Sequence, residues 1–331
     1  MTWFCHFCVG RNPENYYKEL GSCFSWEWQF SKSIMEYFIQ QLINGIQLGT
    51  VYALIALGYT MVYGIIRLIN FAHADIFMIG VYTALFTANA YHVPFPIVII
   101  ISMIVCSLLG VIMEKLAYKP LRNRPRLSAL ITAIGVSLFL ENFCALPFVF
   151  GPDYRSFPEL IPLQTYSLSQ YYNITVSNIL LINLLVVSII LVGMFYLVNY
   201  TMIGRKMRAV SYDKATASLM GINVDRVISF TFFLGTALAG ASGVLYGMTY
   251  TTVQSPYMGI WPGWKAFIAA VIGGIGSLPG AVIGSYLMGI SEVYANSISS
   301  DLGFGIAFAI LIIVLIVKPT GLLGKKTYEK V

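Results

Sequence analysis

Long apolar runs that carry almost no charged side chain recur along this chain, and they limit its fold more than any other feature. Residues 97–113, 179–198 and 303–317 are examples, and each approaches or exceeds the roughly 17 to 25 residues that a helix needs to cross a bilayer. The runs lack the alternation that is typical of an outer-membrane barrel. Only 10% of the residues are charged, against about 25% in soluble domains, so a water-soluble fold is excluded. The sequence predicts an all-α polytopic membrane protein.

The predicted transmembrane domain covers residues 35–325 and is followed by a cytoplasmic tail at 326–331. It contains about eight or nine crossings, depending on how the short or broken segments are counted. The predicted spans are residues 38–66, 70–90, 95–114, 127–150, 178–200, 227–249, 265–275, 281–297 and 303–317.

Residues 1–34 differ from the rest of the chain because they have no sustained apolar period and no signal-peptide pattern. We interpret them as an N-terminal extension that is disordered or not translated, and the second case places the start of translation at Met35. Mass spectrometry of the purified protein tests this hypothesis, and a peptide from residues 1–30 would contradict a start at Met35. The spacing of Cys5 and Cys8 in this extension lacks the second ligand pair of a zinc site, so no metal or other cofactor is predicted.

Basic residues predict which side of the membrane each loop faces. They collect in the loop 115–126, in the loop 201–226 and after residue 317, and these three segments are predicted to be cytoplasmic. The segment 151–177 carries one basic residue and is predicted to be external. The net charge of +6 is therefore an orientation signal, and no nucleic-acid partner is predicted.

A polar insertion, Asn70-Phe71-Ala72-His73-Ala74-Asp75, separates two apolar runs. Polar groups at membrane depth are costly, so they usually line a cavity or cap a broken helix. Asn70 is placed to cap the following helix, and Asp75 would then lie near its positive N-terminal end. We therefore assign Asn70, His73 and Asp75 to a translocation pathway or broken helix. The alternative is an interfacial helix start on the cytoplasmic side, without any contact to a substrate.

A glycine-rich segment at 273–280 contains Gly274, Gly276 and Pro279. It differs from a dinucleotide-binding loop because Pro279 replaces the third glycine, and no Gly-Lys-Ser/Thr follows. Glycines and a proline between two apolar pieces favour a close-packed turn at the end of a short half-helix, beside the pathway. The alternative is a plain loop between two spans.

A short motif, Ile-Gly-x-Tyr, occurs at 79–82 and again at 283–286. Each copy follows a polar or glycine-rich break in an apolar segment. Interrupted segments at matching places in two halves indicate a transport pathway, so the motif is a weak sign of an internal repeat.

The predicted cytoplasmic segment 204–227 is charged and amphipathic, with Ala215, Leu219 and Ile222 at helical spacing. Gly221 is placed to end a short helix. Such a helix can dock its apolar face into a groove on a partner. The alternative is an ordinary solvated loop with the positive charge of the inner face.

Other polar and aromatic residues lie near the ends of the predicted spans, and we expect their side chains to lie at the membrane–water interface. Acidic side chains there are expected to extend towards water, and aromatic side chains are expected to form an external belt, with a lid over the substrate as the alternative. The acidic residues are Glu114, Glu141 and Glu292, and the aromatic residues are Tyr257, Trp261 and Trp264.

The stretch GTVYALIALGYTMVYGIIRLINFAHADIFMIG at 49–80 resembles the signature region of branched-chain amino-acid ABC transporter permeases of the LivH type. The resemblance covers the chain from about Met35 to its end and excludes residues 1–34. It continues through EKLAYKPLR (114–122), ALITAIGVSLFLEN (129–142), the segment 204–227, KAFIAAVIGGIGSLPGA (265–281) and KPTGLLG (318–324).

The resemblance implies the ABC importer permease fold in the bacterial inner membrane. It also implies a second permease subunit, two cytoplasmic ATPase subunits and an external substrate-binding protein that delivers Leu, Ile or Val. By the same implication residues 211–221 form the coupling helix, with Asp213, Ala217 and Gly221 as ATPase-coupling residues. The chain departs from the general pattern because it keeps the spacing of Ala217 and Gly221 but lacks the glutamate of the Glu-Ala-Ala motif, which leaves the individual ATPase contacts open.

Three other functions are compatible with the same sequence. A permease for urea or short amides resembles the same family. A proton-coupled secondary transporter would use Asp75, Glu141 or Glu292 as a proton relay. A purely structural membrane subunit is the third alternative.

Overall fold

A computed structural model of the chain describes residues 13–66, 70–122, 124–167, 174–253 and 255–324. The side chains of residues 13–31 and of Arg126 are outside the described part. The predictions for Cys5, Cys8 and the tail 326–331 also fall outside the described residues. The start of translation at Met35 stays a prediction.

Eleven α-helices make up the described part of the chain. Their bounds are α1 Pro13–Ile66, α2 His73–Tyr91, α3 Phe95–Met113, α4 Arg126–Cys144, α5 Asn178–Tyr200, α6 Met202–Tyr212, α7 Lys214–Leu219, α8 Val224–Tyr250, α9 Ile260–Gly273, α10 Leu278–Asn296 and α11 Leu302–Val317. A π-helical turn, Glu114–Tyr118, and a 3-10 turn, Lys119–Leu121, extend α3.

The all-α polytopic membrane class is confirmed. Five of the described helices are long and apolar enough to cross a membrane, and α9 and α11 are shorter apolar helices. Most predicted spans match a helix to within a few residues. The largest difference is α1, which begins at Pro13 instead of residue 38 and so includes part of the segment assigned to an N-terminal extension. Helix α4 ends at Cys144 instead of residue 150, because Pro147 disfavours the helical conformation of the residue before it. Helix α9 begins at Ile260, five residues before the predicted start at Lys265. The charged Lys265 lies inside the helix and does not mark its beginning.

Two short antiparallel pairings join the segments that were predicted to be external. Strand β1 (Arg155–Ser156) pairs with β4 (Thr252–Val253), which fastens the α4–α5 connection to the end of α8. Strands β2 (Thr165–Ser167) and β3 (Thr175–Ser177) form a second pair that leads into α5.

The packing of the helices repeats. Helix α1 packs along α10 and α9, and α8 packs along α3 and α2 in the same way. Helices α1 and α8 also contact each other, as do α2 and α9. Helices α1–α4 therefore correspond to α8–α11. Ser242 of α8 lies against Val51 of α1, and Gly235 lies against Gly58, so α8 runs opposite to α1. The two units have the inverted-repeat arrangement of many transporters.

The Ile-Gly-x-Tyr motif was a wrong guide to this repeat. Its first copy, 79–82, lies in α2, and its second copy, 283–286, lies in α10, whereas the packing relates α2 to α9 and α3 to α10. The two copies occupy positions that the repeat does not relate. The match is a coincidence of composition, because glycine and small residues are common where membrane helices pack closely.

Close contacts between backbones hold the centre of the bundle. A Cβ atom at Gly243 of α8 would lie 2.7 Å from the backbone nitrogen of Val81 and 2.8 Å from the carbonyl oxygen of Phe77, both in α2. One at Gly240 would lie 2.7 Å from the carbonyl oxygen of Ser102 in α3. Small residues let membrane helices approach to this distance, so α8 is wedged between α2 and α3.

The predicted close-packed turn between α9 and α10 is confirmed. Gly274 and Gly276 have φ angles of 103° and 95°, which favour glycine, and Pro279 lies in the first turn of α10. The segment after α11 covers this turn, because the backbone N–H groups of Leu322 and Leu323 donate to the last carbonyl groups of α9 at 2.8 and 2.9 Å. The last turn of α9 thereby obtains hydrogen-bond partners for carbonyl groups that a helix end leaves unpaired.

Candidate functional site

The polar insertion at the start of α2 lies deep inside the bundle. The ring of His73 lies 4.7 Å from the ring of Tyr59, and the side-chain position of Gly58 faces it. Gly58 precedes the end of α1 at Ile66 by eight residues, which is roughly 12 Å along the helix axis. Helix α2 therefore begins at the level of Gly58 rather than at the described end of α1, and its place in a translocation pathway stays a prediction.

Asn70 does not cap α2. Ala72 occupies the cap position without a side-chain hydrogen bond, and the first N–H groups of the helix donate to carbonyl groups of the turn Asn70–Ala72. The Asn70 side chain instead accepts a hydrogen bond of 2.6 Å from the Tyr118 hydroxyl. This bond joins the break before α2 to the π-helical turn after α3. Asp75 lies in the first turn of α2, as predicted, where its negative charge complements the helix dipole.

The first turn of α9 meets the first turn of α2. A Cβ atom at Gly259 would lie 2.5 Å from the carbonyl oxygen of Ala74, and the side-chain position of Gly263 faces the Ala74 methyl group. Both glycines are required for this approach. Helices α2 and α9 correspond in the inverted repeat, so two half-helices point their positive N-terminal ends towards one place at the interface of the repeats.

A cavity of about 270 Å³ opens where these two helix starts meet. Helices α1, α2, α4 and α9 contribute its walls. Its lining residues are Tyr59, Phe71, Ala74, Asp75, Ile134, Ser137, Leu138, Glu141, Ile260, Trp264 and Phe267.

The polar part of this cavity, which we call the acidic wall, consists of Asp75, Ser137 and Glu141. Asp75 is only 1% exposed, and its carboxylate lies against the side chains of Ser137 and Glu141. Its Oδ2 atom has no hydrogen-bond partner in the described part of the chain. The prediction that Glu141 extends to the interface is wrong, because this side chain is buried and turns into the bundle towards Asp75.

His73 is the second unpaired polar group at this place. It is fully buried, and neither ring nitrogen has a hydrogen-bond partner among the described residues. Buried polar atoms are normally paired, and exceptions are typical of functional sites. The start of α2 therefore contains two buried side chains with unpaired polar atoms, His73 and Asp75.

The sequence indicated only part of this site. Of the residues assigned to a pathway, only Asp75 lines the cavity. Asn70 and His73 are buried in the same break before and at the start of α2, whereas Gly274, Gly276 and Pro279 lie at the far end of α9. Trp264 lines the cavity and packs against Phe71 with ring centroids 5.3 Å apart, and its role as a lid over the substrate stays a prediction. Trp261 is half exposed.

Another buried charged group joins α9, α10 and α1. The Lys265 ammonium group donates to Glu292 Oε1, and the Tyr52 hydroxyl donates to Glu292 Oε2 at 2.9 Å. The same ammonium group lies 4.1 Å from the centre of the Phe304 ring. The interfacial position predicted for Glu292 is wrong, because its carboxylate has partners inside the bundle and needs no water.

Glu114 is also buried rather than interfacial. Its carboxylate is paired with Arg122 and accepts a hydrogen bond of 2.6 Å from the Ser229 hydroxyl. Arg122 in turn pairs with Asp225, as does Lys119 at 3.0 Å. This cluster fastens the inner end of α3 to the start of α8.

The helix predicted at residues 211–221 is shorter in the structure, because Ser211 belongs to the end of α6, Asp213 has an extended conformation, and α7 covers only Lys214–Leu219. Asp213 caps it by accepting hydrogen bonds from the backbone nitrogens of Ala215 and Thr216 at 2.9 and 3.3 Å. Gly221, with a φ angle of 78°, ends it: its N–H donates to Ser218, and the next N–H donates to the carbonyl of Ala217. These two bonds form a Schellman motif, so the predicted role of Gly221 as helix terminator is confirmed.

The two faces of α7 differ. Ala217 is buried against the rest of the chain, so it supports the helix. Leu219 is 88% exposed and Met220 is 78% exposed at the end of the helix. Two large apolar side chains are therefore exposed at the end of this helix.

Comparisons with known proteins agree with this architecture. The family described as "Branched-chain amino acid transport system / permease component" matches residues 41–315. The "High-affinity branched-chain amino acid transport system permease protein LivH" of Salmonella typhimurium is 41% identical over 305 residues, which cover 89% of this chain and 98% of the relative. The protein of the same description from Escherichia coli K12 gives the same identity and coverage. The permease protein BraD of Pseudomonas aeruginosa is 39% identical over the same shares of both chains.

Proposed function

We infer that this chain, which belongs to the family of branched-chain amino acid transport permease components, is a membrane-spanning subunit of an ATP-driven importer in the bacterial inner membrane. Its substrates are branched-chain amino acids, which are the substrates named for its LivH and BraD relatives. The chain covers nearly the whole length of these relatives. The structural observation that supports ATP-driven transport is α7, a short capped helix with exposed apolar side chains at its end.

Energy for transport comes from partner subunits. The glycine-rich segment 273–280 is no nucleotide site, so ATP hydrolysis is assigned to two cytoplasmic ATPases. A second permease subunit would complete the channel, and an external binding protein would deliver the amino acid. Helices α3, α4 and α5 leave most of their surface exposed, which provides room for lipid and for the second permease.

Polar contacts connect α1 to α7 and to the end of α6, the helix just before it. The Ser211 hydroxyl donates to the carbonyl oxygen of Gly64 at 2.6 Å, and the Lys214 ammonium group donates to that of Ile66 at 3.4 Å. Both carbonyl groups belong to the last turns of α1. A displacement of α7 by an ATPase would therefore act directly on α1, which also borders the cavity at Tyr59. ATP can bias the two access states only through a different affinity of the ATPases for each state.

Uptake measurements distinguish this function from its alternatives. In a strain that lacks its own branched-chain amino acid importer, the chain and its partner subunits should restore uptake of labelled leucine. Unlabelled leucine should compete for this uptake, and urea should not. Uptake should also stop when the ATPases are deleted. Uptake that survives this deletion and collapses with an uncoupler would instead identify a proton-coupled transporter.

Replacement of Gly221 tests the role of α7. We expect Gly221→Arg to abolish leucine uptake while the protein still inserts into the membrane. A side chain at this φ angle costs about 1 to 2 kcal/mol, and the added charge would stand beside the apolar surface formed by Leu219 and Met220. Uptake by the complex and the amount of protein in the membrane fraction are the two measurements.

Two control variants separate conformation from docking. Gly221→Asn should retain most of the uptake, because asparagine tolerates the left-handed conformation better than other residues and adds no charge. Leu219→Asp leaves the helix end unchanged and should still reduce co-purification of the ATPases. Normal uptake by Gly221→Arg would contradict the docking role of α7.

A further inference from the structure

We propose that the cavity at the meeting point of α2 and α9 binds the amino acid itself during translocation, with the acidic wall of Asp75, Ser137 and Glu141 holding its ammonium group. This inference rests on the proposed function and adds a binding site within the membrane subunit. The site is built from three parts, which match the three parts of a branched-chain amino acid.

The acidic wall lacks a positive partner within the protein. Asp75 and Glu141 face the same cavity, and none of the residues lining it is basic. The buried Oδ2 atom of Asp75 also has no donor among the described residues. Two adjacent carboxylates in a buried place repel each other, and a cation between them removes this repulsion. An ammonium group supplies the charge and three hydrogen-bond donors, and the Ser137 hydroxyl adds an acceptor.

The carboxylate of the substrate would lie at the start of α9, because α9 has no acidic side chain in its first turn, whereas Asp75 already complements the start of α2. Each helix N-terminus carries a partial positive charge equivalent to about half a unit charge. The starts of α2 and α9 both border the cavity, through Ala74 and Ile260. Half-helix starts at the interface of inverted repeats are suited to hold an anionic substrate group. The cavity therefore offers opposite charges to the two ends of a zwitterion.

The remaining wall is apolar and suits a branched aliphatic side chain. Ile134 and Leu138 of α4 face Ile260, Trp264 and Phe267 of α9 across the cavity. This division into a few polar groups and a mainly apolar lining is typical of small-molecule sites. Polar amino acids would leave their side-chain groups without partners there.

Substrate analogues that lack one charge test each end of the site. The measurement is equilibrium binding of labelled leucine to the purified importer complex, full chain included, without the external binding protein. The competitors are 3-methylbutylamine, which lacks the carboxylate, and 4-methylpentanoate, which lacks the ammonium group. Both should compete weakly against leucine in the unmodified complex.

The Asp75→Asn variant is expected to change the binding of the two competitors differently. It should weaken the binding of leucine and of 3-methylbutylamine by about tenfold or more, because a hydrogen bond to a charged partner is lost, and should leave 4-methylpentanoate unchanged. Asp301→Asn is the matched control, since this exposed acid precedes α11 and is distant from the cavity lining. If Asp75→Asn fails to assemble, Glu141→Gln provides the same comparison.

The outcomes distinguish this inference from the proposed function. If Asp75→Asn binds all three compounds as the unmodified complex does, the ammonium site is wrong. Equal weakening of both competitors would also overturn it, because that result indicates a general distortion of the cavity. If the amine displaces bound sodium and leucine does not bind at all, the cavity is an inorganic cation site and the proposal is wrong. If the unmodified complex transports no leucine, the proposed function itself fails.

Discussion

Replacing Lys265 by methionine is expected to lower the free energy of unfolding by about 3 to 5 kcal/mol, which is the usual cost of removing one member of a buried ion pair. The side chains of Lys265 and Glu292 are only 10% and 6% exposed. After the substitution the Glu292 carboxylate would keep a single donor, the Tyr52 hydroxyl. Because an unpaired charge within a membrane protein cannot reach water at low cost, α9 and α10 would separate around it.

The measurement is thermal unfolding of the purified protein in detergent. An exposed ion pair provides the matched control, since Lys119 and Asp225 lie 3.0 Å apart with 52% of each side chain exposed. Lys119→Met should therefore cost no more than about 1 kcal/mol.

Removing the whole polar group should restore most of the lost stability. In the triple variant Tyr52→Phe, Lys265→Met, Glu292→Leu no buried charge or hydroxyl is left without a partner, and such replacements are often neutral. Equal losses in Lys265→Met and Lys119→Met would show that the burial of this pair has no energetic consequence. A triple variant as unstable as the single one would show that the group is needed for packing.

The helical bundle could be predicted because hydrophobicity alone dictates it. A lipid environment requires every backbone polar group to be paired within the segment, so each apolar run has only one structure to adopt. Helix ends were predictable where a local signal exists, as at Gly221 and at the turn containing Gly274. The end of α4 was missed because the apolar pattern continues past Cys144, whereas the helix ends there.

The candidate site was predictable only where the cost of burying a polar group shows in the sequence. Asn70, His73 and Asp75 interrupt an apolar run, and the structure brings them into the interior. Glu141 was assigned to the interface because its position in the chain is near a span end, and only the packing of α4 against α2 turns it towards Asp75. For Trp264 the sequence left a belt and a lid as alternatives, because the position of α9 depends on its contact with α2.

Gly243→Ala is expected to destabilise the protein strongly, with a loss of about 3 kcal/mol in the free energy of unfolding. The added methyl group would lie 2.7, 2.8 and 2.9 Å from backbone atoms of Val81, Phe77 and Gly80. Backbone atoms inside a helix cannot turn aside as a side chain can, so α2 and α8 would have to move apart. This movement would also shift the first turn of α2 and with it Asp75, so leucine uptake should fall together with stability.

Gly135 is the matched control for this prediction. It also lies within a membrane helix, α4, and a Cβ atom there would have no neighbour within 4 Å. Gly135→Ala should therefore change the unfolding temperature little, and any change should be stabilising because alanine favours helix more than glycine does. Equal unfolding temperatures for the two variants would contradict the close approach of α8 to α2. A large loss for Gly243→Ala alone would show that this single backbone contact sets the position of the half-helix start on which the cavity depends.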